Sequence, residues 1–346
     1  MTPELNREYP ELDDPVVFEQ MTKLTVEHMK PIGGKIGRGQ HLKATSCVTA
    51  EFRISDVVPA DLRHGVFREV GRTYSAIVRL SNSQGTAEKD GVGTARGLAV
   101  KLLDVAGARA IIGDTDTTQD FLMIDHPVFP FPDPRAYFET ISRKDIRLIG
   151  NFAALVHMAL TDPKELKILK AIRSKHVASP LEIRYWSGAP FWLGPATGQG
   201  GRAVKYTATP RQTDLTPSPE RPEDLPADYL GEAVKNHLSA RKAVFDFAVQ
   251  LQTDPVRMPV EDVSVEWDED KSKPVTVATI RIPQQTVDPD SEFATQCERM
   301  SFNPWHALPE HRPMGGMNRL RRVVYAASIA RRSGSESLAS GAGSLT

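Results

Sequence analysis

Seven β-branched runs, each bounded by turn-forming residues, constrain this chain more than any other feature. ATSCVTAEFRI over Ala44–Ile54, YSAIVRL over Tyr74–Leu80, GLAVKLLD over Gly97–Asp104 and DFLMI over Asp120–Ile124 crowd the first third, with clusters such as SNSQGTAEKDGVGT between them. RAVKYTAT over Arg202–Thr209, AVFDFAVQLQ over Ala243–Gln252 and PVTVATIRI over Pro274–Ile282 follow later. Short links predict an antiparallel meander, and seven or eight strands of this length suffice to close a barrel. The expected class is α+β: a closed antiparallel barrel of about eight strands with helices around it.

The helices are fewer. Ile146, Ile149, Phe152, Leu155 and Leu160 recur at helical spacing and predict a helix over Arg143–Ser174. A last helix is expected over Gly316–Arg332, and the proline-rich stretch Pro210–Pro226 reads as a wrapping loop. No hinge-like linker divides the chain. The expected organisation is an N-terminal arm (1–30), one domain (31–335) and a small, polar, disordered tail (336–346).

Charge excludes some classes. Lys plus Arg total 43 against 44 for Asp plus Glu, so no global field favours nucleic acid or an anionic membrane. The longest apolar-leaning stretch, near Ile149–Leu160, is broken by Asn151 and His157 and is too short to span a bilayer. MTPELNREYPELDDP has no apolar core of a secretory leader. Cys47 and Cys297 form neither a CxxC pair nor a zinc spacing, a usage compatible with a reducing cytoplasm, which is the expected location. HExxH, GxSxG and a Gly-rich loop opening a helix are all absent, and His28, His64, His157, His176, His237 and His311 have no ligand partner three or four residues on. Composition and periodicity alone end at a β-rich globular protein.

Specific segments go further. Arg38-Gly39-Gln40-His41, just before the first strand, resembles the distal Arg-x-x-His of haem catalases. Val78-Arg79-Leu80-Ser81 resembles that family's Val-Arg-Phe-Ser, and Ala95-Arg96-Gly97-Leu98-Ala99-Val100-Lys101 its Pro-Arg-Gly-Phe-Ala-Val-Lys. Asp125-His126-Pro127-Val128-Phe129-Pro130 is similar to Asn-Thr-Pro-Ile-Phe-Phe. Arg321-Arg322-Val323-Val324-Tyr325 resembles the proximal Arg-x-x-x-Tyr, with Arg332 seven residues beyond the tyrosine. The run from Phe302 to Pro313 resembles the small catalase-related haem peroxidases. The likeness spans roughly residues 30–335.

The resemblance implies a haem b whose iron is held by Tyr325, since an anionic oxygen ligand favours high oxidation states of iron. Arg321, one turn away on the same helix face, would donate to the phenol oxygen. His41 would take up and return the peroxide proton as the O–O bond breaks, and Ser81 would fix its tautomer. Arg38, Arg79 and Arg332 would pair with the haem propionates, because a guanidinium fork matches a carboxylate. Phe129 and Phe138 would pack near the haem. Two departures stand out. Asp125 replaces an asparagine that donates to peroxide in catalases, and an ionised carboxylate only accepts. Gln40 replaces an apolar neighbour of the histidine. Both lower the expectation of efficient hydrogen peroxide disproportionation.

The resulting expectation is a haem peroxidase with weak catalase activity, acting on hydrogen peroxide or organic hydroperoxides with a small organic reductant. The rival readings are a fatty-acid hydroperoxide isomerase or lyase of the allene oxide synthase kind, and a non-catalytic barrel that binds haem or a small ligand. Catalase relatives assemble through N-terminal arms, so a homo-oligomer is an implied partner state.

Overall fold

The computed structural model describes residues 2–32, 34–142, 161–197 and 200–334. Eight strands close into one antiparallel barrel: β1 (Ala44–Ile54), β2 (Thr73–Asn82), β3 (Arg96–Leu102), β4 (Gln119–Ile124), β5 (Tyr185–Trp186), β6 (Arg202–Pro210), β7 (Ala243–Leu251) and β8 (Val275–Ile282). They pair in chain order, and β8 returns to β1 with Ile280 opposite Phe52. A three-residue strand, Phe191–Leu193, adds to β6 outside the ring. The seven runs read from the sequence all form strands, with ends shifted by a residue or two. The eighth, β5, is only two residues long, too short for any alternation to announce it.

Alternation places one face of each strand inside. Val48, Phe52, Val78, Leu80, Leu98, Val100, Phe121, Tyr206 and Phe247 belong to one buried cluster. Its centre is aromatic: Phe121 lies 4.8 Å from Phe247, 5.0 Å from Tyr206 and 5.7 Å from Phe52, centroid to centroid. These rings fill the barrel, so its interior is a packed core. His311 sits among them, fully buried. Its Nε2 accepts from the Val66 amide at 3.0 Å and its Nδ1 lies 3.1 Å from the Tyr206 hydroxyl. Burial pushes this imidazole down to about 3, so it is neutral.

Six α-helices surround the barrel among the described residues. Helix α1 (Pro15–His28) starts where Asp14 accepts from the Val16 and Val17 amides, with proline at the first turn. Helices α2 (Pro134–Ser142), α3 (Pro163–Arg173), α4 (Tyr229–Ala240) and α5 (Glu292–Arg299) follow, and α6 (Gly316–Ser333) closes the fold. Of the helix expected over Arg143–Ser174, residues 143–160 lie outside the described residues, as does the tail expected over 336–346. The proline-rich loop holds one short 3-10 turn, Pro222–Asp224.

The segment expected as an arm docks on α6. Met21 and Val17 of α1 share a buried cluster with Met317 and Leu320 of α6. Arg319 of α6 pairs with Glu8 at 2.9 Å, Asp13 at 2.5 Å and Glu261 at 3.0 Å. Cys47 of β1 and Cys297 of α5 form a disulfide across 250 residues of chain. Disulfides persist in oxidising compartments and are rare in reducing ones, so this pairing removes the support that cysteine usage lent to a cytoplasmic location. Among the described residues no helix is long and apolar enough to cross a membrane.

Candidate functional site

The outward faces of β2, β3 and β4 carry a different kind of residue. Val78 and Leu80 point into the barrel, so Arg79 and Ser81 point out, and the same parity turns Gly97 and Ala99 of β3 and Leu122 and Ile124 of β4 outward. Against this wall lie the loop before β1, parts of α1, α2 and α3, and the length of α6. Together they enclose a cavity of about 490 Å³, within the usual range for a small-molecule site. Of the ten residues singled out from the sequence, eight line it: Arg38, His41, Arg79, Ser81, Phe129, Arg321, Tyr325 and Arg332.

His41 is held from several sides. Its Nδ1 lies 2.9 Å from the Ser81 hydroxyl, and its amide donates to the Ser83 carbonyl at 3.1 Å. Nε2 has no partner among the described residues. Its backbone is left-handed, φ 53°, a conformation that a non-glycine residue adopts only when its surroundings impose it. Gly97, paired with Ser81 across β2 and β3, makes the seat: a Cβ there would stand 2.6 Å from His41 Nδ1 and 2.7 Å from Ser81 Oγ. Burial, then the charges of Arg79, Arg321 and Arg38, push the imidazole down to about 3. In the tautomer that donates from Nδ1 to Ser81, the neutral ring leaves Nε2 open as an acceptor.

On α6, Arg321 Nη2 donates to the Tyr325 hydroxyl at 3.2 Å while its Nη1 donates to Asn318 Oδ1 at 3.1 Å. The helical i, i+4 spacing delivers this contact. Asn318 is buried and its carbonyl accepts from the Trp305 indole at 2.7 Å, which locks the run Phe302–Pro313 against α6.

Three guanidinium groups meet at one edge of the cavity. Arg38 Nη1 donates to Glu298 Oε2 at 2.6 Å, Arg79 Nε to Glu298 Oε1 at 3.0 Å, and Arg332 Nη1 to the Glu298 carbonyl at 3.2 Å. Three cations beside one carboxylate leave a net charge of +2. Burial and the charges of Arg79 and Arg332, against the opposing pull of Glu298, bring Arg38 down to about 9. Arg332 Nε is buried with no hydrogen-bond partner. Buried donors are ordinarily satisfied, and this one leaves the edge an open donor.

Two expected residues stand elsewhere. Asp125 is buried but does not line the cavity: its Oδ1 accepts from the Arg96 amide at 2.7 Å and its Oδ2 lies 3.2 Å from Lys175 Nζ. It fixes the end of β4 to β3 and to the segment after α3. Phe138 packs in the helical cluster beneath α6, and Tyr137, its neighbour, reaches the cavity instead, edge-to-face with Phe129 at 5.4 Å and tilted against Phe131 at 5.1 Å. Burial, and then the nearby Tyr325, push the Tyr137 hydroxyl up to about 12, so it remains protonated. The sequence signalled neither Tyr137 nor Glu298. Gly97 stood within a quoted motif, yet its steric role depends on a strand pairing that only the fold supplies.

No family model matches the chain, and no curated protein matches it. Solved structures do. A fungal catalase superposes with a TM-score of 0.68 at 18% identity, over 96% of this chain and 66% of that one. A bacterial catalase gives 0.68 at 18%, over 93% and 61%. Catalase A from Saccharomyces cerevisiae gives 0.64 at 17%, over 96% and 67%. The fold is catalase-like. This chain spans about two thirds of the length of those catalases or slightly less.

Proposed function

We propose that this chain binds haem b in the outer-wall cavity and works as a hydroperoxide-consuming haem enzyme of the small catalase-related peroxidase kind. One observation carries the reading: the imidazole of His41, the phenol of Tyr325 and a +2 arginine edge all line a single cavity. The residues present fit the group. Tyr325 offers an oxygen ligand steadied by Arg321. Arg38, Arg79 and Arg332 offer forks for two propionates, whose charge of −2 neutralises the edge, and the orphaned Arg332 Nε is a donor awaiting such an oxygen. When bound, haem would supply the redox chemistry that breaks an O–O bond.

The chain's own residues handle protons and placement. Neutral His41 accepts the hydroperoxide proton at Nε2 and returns it to the departing oxygen, while Ser81 holds the ring through Nδ1. Leu122, Ile124, Leu169 and Ile172 give the cavity an apolar wall, which favours organic hydroperoxides over hydrogen peroxide and a small aromatic reductant over a charged one. The same wall suits a lipid hydroperoxide, so isomerase or lyase chemistry is the second reading; product analysis separates them, since a peroxidase consumes reductant and yields an alcohol. The aromatic filling of the barrel speaks against a ligand held inside it.

The test is titration of the purified protein with haem. The expected outcome is a stoichiometric Soret band with a high-spin ferric spectrum, guaiacol-type oxidation on adding peroxide, and weak oxygen evolution. Tyr325→Phe should lose the band or change its ligation. A wild-type protein that takes up no haem would overturn the proposal.

A further inference from the structure

Glu298 is the carboxylate that accompanies the three arginines of the cavity edge. Its helix, α5, lies across the outside of β1, and the next residue back, Cys297, is bonded to Cys47 of that strand. The helix is therefore tied down one residue from the carboxylate. Around it the chain spends acceptors on the arginines: the Cys297 and Met300 carbonyls accept from Arg38 Nη2 at 3.3 and 2.8 Å, and the Glu298 side chain accepts from Arg38 and Arg79 together. Arg79 is 3% exposed at its side chain, whereas Glu298 is 45% exposed. A buried guanidinium needs a carboxylate far more than a half-exposed carboxylate needs a guanidinium.

We infer that Glu298 is an internal anion that satisfies the arginine edge in the cofactor-free protein and competes there with the carboxylates of the cofactor. The inference rests on the haem reading above. Without a ligand, Glu298 is the only side-chain carboxylate paired with Arg38 and Arg79 among the described residues. When two propionates arrive they approach a +2 edge that already contains one negative charge, so they share the guanidinium forks with it. Glu298 thereby trades affinity for a stable empty site. The disulfide keeps α5 from swinging away, so the carboxylate stays at the cluster in either state.

The consequence separates this role from simple packing. A packing residue, when altered, weakens the empty and the loaded protein alike and loosens the ligand. Removing a competing anion does the opposite to the ligand: a +3 edge holds a dianion more firmly. Glu298→Gln should lower the melting temperature of the haem-free protein by about 2–4 °C, and leave that of the haem-loaded protein within about 1 °C. It should also slow haem transfer to an excess of apomyoglobin by about two- to fivefold. Glu298→Asp, which keeps the charge but withdraws it by one methylene, should fall between the two proteins in both measurements, and it serves if the glutamine variant does not fold. A Soret band in all three proteins with equal or faster haem release from the variants would overturn the role of Glu298 and leave the haem reading intact. Absence of the band from wild type would overturn both.

Discussion

The two faces of β2 make the clearest contrast in the molecule. Inside, Val78 and Leu80 join an aromatic core whose buried histidine has both ring nitrogens engaged. Outside, one residue along, Arg79 and Ser81 meet a cavity where cations outnumber anions and a guanidinium nitrogen has no partner. The interior satisfies its polar groups and so contributes stability; the outer wall leaves groups open, as the proposed binding role requires. A strand's period of two lets one sheet do both, and the division predicts that mutations separate cleanly by face.

Gly97→Ala is the strongest test, because it adds a single methyl group to the outer face. The Cβ would collide with His41 and Ser81, and misplacing a catalytic group by about 1 Å costs on the order of 10²-fold. Peroxide turnover should fall by about that factor while the haem spectrum persists. His41→Ala sets the floor, expected about 10²–10⁴-fold below wild type. A Gly97→Ala enzyme of normal rate would mean that the His41 seat is not as described.

Phe121→Ala is the matching change inside. Phe121 touches Phe52, Tyr206 and Phe247, so its removal should destabilise by about 3–5 kcal/mol in chemical unfolding, with haem bound per folded molecule unchanged. Loss of haem in the folded fraction would blur the division between the faces.

Acid should act on the interior through His311. An unfolded histidine takes up a proton near 6.5, whereas His311 resists one down to about 3. Between these values the unfolded chain binds more protons, so this contribution is fully present above about pH 6.5 and is lost as the pH falls toward 3. His41 adds to the same trend. Melting temperatures of the haem-free protein should therefore drop over that window, and His311→Asn, less stable at neutral pH, should show a shallower drop. Parallel curves would show that another group governs acid unfolding.

Asp125→Asn is the smallest expected effect on catalysis. Because the carboxylate is engaged by the Arg96 amide and Lys175 away from the cavity, turnover should stay within about twofold, with a stability loss of about 1–2 kcal/mol from the broken charged contact. A tenfold rise in oxygen evolution would restore Asp125 to the peroxide side.

What the sequence determined by itself is local and periodic. β-Branched runs between turn clusters placed seven strands, and the i, i+4 relation of Arg321 and Tyr325 brought guanidinium to phenol, because both depend only on neighbours along the chain. The resemblance of short motifs pointed to His41, Ser81 and the three arginines. Only the tertiary structure decided the rest. It paired Ser81 with Gly97 so that a missing Cβ seats the histidine, and turned Asp125 away while Tyr137 took the place expected for Phe138. It also joined Cys47 to Cys297 and thereby set Glu298 among arginines from three distant segments. These are contacts between residues tens to hundreds of positions apart. No periodicity encodes them, because their partners are chosen by the closure of the barrel and the packing of α5 and α6 on its outer wall.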